Sequence, residues 1–310
     1  MNKNDSSASF SFRRNFFRSL LRHLFVKPFL FTIAAISVLV LMLFVMDQQL
    51  ELNQLPAIIN IRSRQNILET SELTQQIRAK LMDNRNGSSG SLKLSKPVTG
   101  PENADRSQVG QPKILQQYFK NKTGGTFVEA GAFDGEEMSN TLYLETMFNW
   151  TGLLVEANPS QHSRLVAKNR RVAALQGCIS PSGQPSELQD AKKLMRPGQS
   201  LNFMPLPSSN DPSVIFCYPL LNILASADLL EVDVLFLDVD GAEPEILETL
   251  PFEDTNIKAL VVECWHNGSL VPTNCTATTE RIKATLKPWG YELREIINNQ
   301  DLLFMKKDAN

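Results

Sequence analysis

The chain is poor in the residues and spacings that most often announce a reaction. It has three histidines and four cysteines in 310 residues, with no C-x-x-C and no His-rich spacing, so no metal site is expected. There is no P-loop and no G-x-S-x-G nucleophile turn. The net charge of −2 lacks the basic excess that a nucleic-acid partner would require. No internal repeat is visible.

The small net charge hides an asymmetry. Residues 1–27 carry Lys3, Arg13, Arg14, Arg18, Arg22 and Lys27 against Asp5, a local +5 that leaves −7 for the rest. This basic arm runs into 28–46, PFLFTIAAISVLVLMLFVM, which holds no charge in 19 residues. As a helix it would span about 28 Å, close to the hydrocarbon thickness of a bilayer. It has no polar face for a buried core helix, and it exceeds the usual apolar region of a cleaved signal peptide. An uncleaved signal-anchor is the expectation. With positive charge before the span and Asp47 and Glu51 after it, residues 1–27 are a cytosolic tail and the rest lies in the lumen or outside.

Two further features fit this type II placement. Asn-x-Ser/Thr sequons occur after the span at Asn86, Asn121, Asn149, Asn267 and Asn274, with Asn149 close to expected core. All four cysteines also follow it, an even number that suits an oxidising compartment. Cys264 and Cys275 bracket a short loop, so they are expected to pair, and Cys178 with Cys217; free core cysteines on strands are the other reading. The expected partner is the bilayer. The expected location is the secretory-pathway membrane: endoplasmic reticulum, Golgi, endosome or plasma membrane.

Beyond the span, residues 47–82 read as a stem in which Ile67, Leu68, Leu73, Ile77 and Leu81 are spaced as for a short amphipathic or weakly coiled helix, and 83–112, rich in Gly, Ser, Pro and Asn, reads as a flexible linker. From 113 to 307 apolar strand runs alternate with helical periodicity. Strands are predicted at 127–130, 152–155, 173–179, 232–237 and 259–262. Two more, 291–297 and 302–306, are joined by an Asn-Asn-Gln-Asp turn. Residues 181–212 read as an excursion. Alternation that ends in a hairpin predicts a doubly wound α/β sheet with a reversed edge strand.

Candidate site residues cluster at predicted strand ends. The first strand breaks into Glu129, Gly131, Asp134 and Gly135, and the second ends in Glu156, 25 residues after Gly131. Glycines there allow a close backbone approach, and a later acid suits ribose hydroxyls. A plain strand–turn–helix would give the same glycine pattern. The fourth long strand ends in Asp238-Val239-Asp240-Gly241-Ala242-Glu243. Its two aspartates can act as a base or hold a metal, or they can cap the helix near Pro244. His266, after the fifth strand, is a candidate base with Glu263 or Asp238 orienting it.

In order and separation, FVEAGAFDGEEMSNTLYLE, LLVEANP, VDVLFLDVDGAEPEILETLPF and VVECWH resemble the FkbM-type methyltransferase domain. The EAGAFDGE–SNT form behind a type II anchor is similar to the animal Star-like membrane proteins. The resemblance covers about 113–307 and implies a class I S-adenosylmethionine methyltransferase-like sheet behind the transmembrane helix. By position it assigns Glu129, Gly131, Asp134 and Gly135 to the cofactor loop, Glu156 to the ribose, and Asp238, Asp240 and Glu243 to the fourth-strand loop. Asp240 stands where the family usually has Glu, moving a carboxylate by roughly 1.5 Å. Two functions are implied. One is assistance to cargo leaving the endoplasmic reticulum. The other is S-adenosylmethionine-dependent O-methylation of a glycan, lipid or small hydroxyl compound. The scarcity of S-adenosylmethionine in a lumen separates them.

Overall fold

Long apolar strands such as VDVLFL can be buried on both faces only if helices cover both, and this is what the chain builds. The computed structural model describes residues 42, 44, 68, 71–87, 90–188, 203–205, 214–264 and 275–307. The elements open with α1 (Glu72–Arg78), β1 (Met82–Asp83), α2 (Pro101–Ala104), α3 (Gln111–Tyr118) and β2 (Thr126–Ala130). Next come α4 (Leu142–Phe148), β3 (Thr151–Glu156), α5 (Pro159–Ala167), β4 (Ala173–Gln176) and β5 (Cys178–Ile179). Then follow β6 (Ser186–Leu188), β7 (Phe203–Pro205), β8 (Ile215–Tyr218), α6 (Leu220–Ser226) and β9 (Glu231–Leu237). Last are α7 (Glu243–Thr249), β10 (Asn256–Glu263), α8 (Thr276–Leu286), β11 (Tyr291–Ile297) and β12 (Asp301–Lys306).

The main sheet has eight strands in the order β1-β4-β3-β2-β9-β10-β12-β11. β4, β3, β2, β9 and β10 run parallel, while β12 is antiparallel to β10 and to β11. In the hairpin turn Asn298 and Asn299 both have positive φ, and the Gln300 amide donates to the Ile297 carbonyl at 2.9 Å. Asparagine tolerates that backbone region, and such a turn matches the strand twist. The doubly wound α/β sheet with its antiparallel edge hairpin is therefore present.

Alternation along each strand sorts the core into two layers. Val128, Leu153, Leu235 and Leu260 pack with Ile77, Ile223, Ile246 and Ile282 on the side of α1, α6, α7 and α8. Phe127, Leu154, Phe236 and Val261 pack with Leu115, Leu144 and Leu165 on the side of α3, α4 and α5. Each fully buried Leu, Ile or Phe contributes about 1.5–3 kcal/mol relative to exposure.

Several expectations need correction. The segment read as stem and linker belongs in part to the fold: Ile77 and Ala104 are fully buried, and β1 adds an antiparallel edge strand beside β4. A Gly-, Ser- and Asn-rich stretch can still be fixed by backbone hydrogen bonds, which composition does not report. The compact unit that holds the sheet starts at residue 63, well before 113. The strand expected at 173–179 breaks at Gly177, and β5 joins a second sheet, β5-β8-β6-β7, so the excursion has strands of its own. Cys178 pairs with Cys217 across β5 and β8, and Cys264 pairs with Cys275, as expected. The predicted span at 28–46 lies outside the described residues except Met42 and Phe44, which are helical and exposed. Among the described residues no helix is long and apolar enough to cross a membrane.

Candidate functional site

From β2 the chain lays β3 and β4 to one side, and from β9 it lays β10 to the other. The strand order therefore reverses between β2 and β9, the place where doubly wound sheets open a crevice at the carboxyl ends of their strands. A cavity of about 310 Å³ lies there. Gly131 (φ +84°) leaves β2 against β9 so closely that a Cβ would lie 1.9 Å from the Asp238 carbonyl oxygen. The Asp238 amide in turn donates to the Ala130 carbonyl at 3.2 Å.

Glu156, the last residue of β3, reaches into this cavity. It is 8% exposed, and its two oxygens accept the Phe133 amide at 2.8 Å and the Asn158 amide at 2.7 Å. Burial pushes its carboxyl up to about 7, against those amide hydrogen bonds and with some help from the charges of Asp240 and Asp238. Beside it Val155, Gly177, Cys178, Ile179 and Leu188 form an apolar wall.

The opposite wall is acidic. Asp238, Asp240 and Glu263 line the cavity. α7 has no side-chain cap, so neither aspartate is used to start that helix. Buried Glu243 instead reaches back to accept the Val239 amide at 2.8 Å and the Gly241 amide at 3.3 Å, fixing the loop. Asp238, Glu243 and Glu263 bring carboxylate oxygens within 4.8 Å of one another, a convergence that the absence of metal-ligand spacing did not foretell. Asp238 and Glu263 are hydrogen-bonded to each other. Burial raises both, and the Asp238 charge raises Glu263 further, which favours a proton held between the two carboxylates. Asp301 is raised to about 7 by burial and then by Asp238, and accepts the Gln111 side-chain amide at 2.8 Å.

Three of the expected cofactor residues do not line the cavity. Glu129 sits one residue out of phase with Ala130, so its side chain points to the layer of α4 rather than to the crevice. There its carboxylate accepts the Asn140 amide at 2.6 Å and the hydroxyls of Ser139 and Thr141. Asp134 closes its own turn by accepting the Glu136 and Glu137 amides at 2.9 and 2.8 Å. Gly135 gives room to α5, since a Cβ would lie 3.0 Å from Leu165. His266 lies outside the described residues, as do Asn267 and Asn274.

The loop is braced from behind by buried Arg170. Its guanidinium donates to Glu145 at 2.7 Å, the Gly135 carbonyl at 2.9 Å, Ser139 at 3.0 Å and Thr141 at 2.9 Å. Nothing local in the sequence marks Arg170, whose side-chain partners are all 25 or more positions away. Glu263 was visible: like Glu156 and Asp238, it is an acid at the end of a parallel strand run.

No family model matches the chain, and no curated protein matches it. Among solved structures it is similar to a SAM-dependent methyltransferase from Aquifex aeolicus at 12% identity and TM-score 0.36, over 67% of this chain and 97% of that one. It is also similar to fibrillarin from Aeropyrum pernix, solved with natively bound S-adenosyl-L-methionine, at 13% identity and TM-score 0.34, over 62% of this chain and 73% of that one. A third is methyltransferase FkbM from Methylobacillus flagellatus KT, at 12% identity and TM-score 0.36, over 59% of this chain and 43% of that one. TM-scores this low carry no argument, and the fold rests on the strand order and direction described above.

Proposed function

We propose that the domain binds S-adenosylmethionine at the β2/β9 crevice and transfers its methyl group to a small nucleophilic acceptor. The observation that carries this reading is Glu156, held by two backbone amides at the end of β3 beside an apolar wall. The fit is chemical as well as positional. A buried carboxylate suits ribose hydroxyls, the Val155–Ile179–Leu188 wall suits a purine face, and Gly131 lets backbone approach the ligand. When bound, the cofactor supplies an electrophilic methyl group on a sulfonium centre. The chain supplies position, exclusion of water by the apolar wall, and a proton acceptor in the Asp238–Glu263 pair. His266 stays in the proposal as a second base, on its place in the sequence.

Calorimetric titration of the full-length protein in detergent tests the reading. Micromolar S-adenosylmethionine binding that weakens by about 10–100-fold in Glu156→Ala is expected, the loss of hydrogen bonds to a charged group. No binding at millimolar ligand would refute it.

The setting we propose is the secretory-pathway lumen, behind the anchor at 28–46. The two disulfides support an oxidising compartment, and Asn86, Asn121 and Asn149 are all exposed. The same setting supports a second reading, implied by the Star-like resemblance: export of membrane or secreted cargo from the endoplasmic reticulum. Folded protein that binds no S-adenosylmethionine yet co-purifies with cargo precursors from the endoplasmic reticulum would favour this second reading.

A further inference from the structure

Three buried acids elsewhere in the domain meet cations, while others, such as Glu129, are held by amides and hydroxyls. Glu145 pairs with Arg170, Asp233 with Lys122 and Lys258, and Glu136 with Lys168. The crevice gathers acids without a cation among them. Glu137, Glu156, Asp238, Asp240 and Glu263 line it, and among the described lining residues there is no Lys, Arg or His. Asn140, which also lines the cavity, holds a buried side-chain oxygen that no donor reaches. The cavity is therefore rich in acceptors and poor in donors and positive charge.

A bound S-adenosylmethionine carries a net charge of about +1 at neutral pH, because its carboxylate offsets one of its two cationic groups. Even with one proton shared by Asp238 and Glu263, the lining stays negative. An anionic acceptor would meet like charges, which repel it. A neutral hydroxyl would leave the negative lining uncompensated.

Resting on the cofactor reading above, we propose that the acceptor is an organic ammonium held by the carboxylates of Asp238, Asp240 and Glu263, and that methylation occurs on nitrogen. The ammonium gives one proton to the ionised member of the Asp238–Glu263 pair. The freed nitrogen lone pair forms the new N–C bond while the methyl–sulfur bond breaks and its electron pair stays on sulfur. The product nitrogen keeps the positive charge, and the sulfur leaves as a neutral thioether.

Binding measurements separate this proposal from the reading beneath it. The full-length protein in detergent is titrated with S-adenosylhomocysteine and with sinefungin, whose amine stands where the transferable methyl would be. Sinefungin is expected to bind about tenfold tighter, a gap of about 1.4 kcal/mol. Both Glu263→Gln and the rim variant Asp240→Asn are expected to narrow the gap to about threefold or less. Equal or weaker binding of sinefungin overturns the ammonium acceptor while leaving the cofactor reading intact. Failure of both ligands to bind overturns the cofactor reading too. A gap that millimolar Mg²⁺ abolishes also overturns the proposal, because the carboxylates would then serve a metal.

Discussion

Gly131 and Asp238 touch backbone to backbone, with room at Gly131 for a hydrogen and nothing larger: a Cβ would sit 1.9 Å from the Asp238 carbonyl oxygen. That contact joins the ends of β2 and β9 and sets the floor of the crevice. Gly131→Ala must therefore push the two strand ends apart, and it also places a side chain at φ +84°. A loss of roughly 2–4 kcal/mol in denaturant melts, with S-adenosylmethionine binding abolished, is expected. Gly241→Ala is the control, since it too has positive φ but open space around its Cβ position, and it should cost about 1 kcal/mol.

Arg170 gives a second expected outcome. Its side chain and that of Glu145 are 1% and 2% exposed. Arg170→Met would strand Glu145 and leave the Ser139 and Thr141 hydroxyls with fewer donors around Glu129. Removing one partner of a buried pair costs about 3–5 kcal/mol. Arg170→Lys should recover little, because a single ammonium cannot reproduce a fork that serves four acceptors. Urea denaturation of the three proteins checks this.

The pH dependence follows from the raised acids. Glu156, Glu243 and Asp301 titrate at about 7 in the folded domain, each pushed up first by burial. Between their unfolded values and 7 the native state holds more protons than the unfolded chain. Stability must then fall as pH rises through that window. Glu136, held near 2 by Lys168 and by the Ser95 and Lys96 amides against its burial, acts oppositely, losing its contribution only as pH falls toward 2. Chemical melts between about pH 5 and pH 7.5 should show declining stability. Glu243→Gln, which keeps an oxygen for the Val239 and Gly241 amides, should flatten the slope. An unchanged slope in that variant would assign the titration elsewhere.

The domain boundary gives a fourth outcome. A protein beginning at residue 113 would lack Ile77 and β1, exposing one core face and the edge of β4. It should be unstable or aggregate, whereas one beginning at residue 63 should melt cooperatively, as circular dichroism would show.

Much of the sheet was legible in the sequence because its strands are apolar runs bounded by turn residues, and burial on both faces leaves such runs little choice. The runs at 232–237 and 259–262 lie within β9 and β10, and the Asn-Asn turn became the hairpin. In the stem the helical spacing of Leu73 and Ile77 matches α1, whereas β1 is two residues long, too little for strand periodicity to register. The site was legible at Glu156, Asp238 and Asp240, where strand-end position and charge coincide.

By itself, the sequence determined the longer strands of the main sheet, which cysteines could meet across a short loop, and that acids gather at strand ends, since each follows from local pattern. Tertiary structure alone decided the fate of those acids. Glu129 turned inward to hold a loop from behind, because neighbouring strand residues face opposite layers. Glu263 came beside Asp238, because parallel pairing of β9 and β10 aligns their ends. Long-range pairing brings charges together at distances that no sequence spacing encodes, and those distances set which carboxylates are ionised in the crevice.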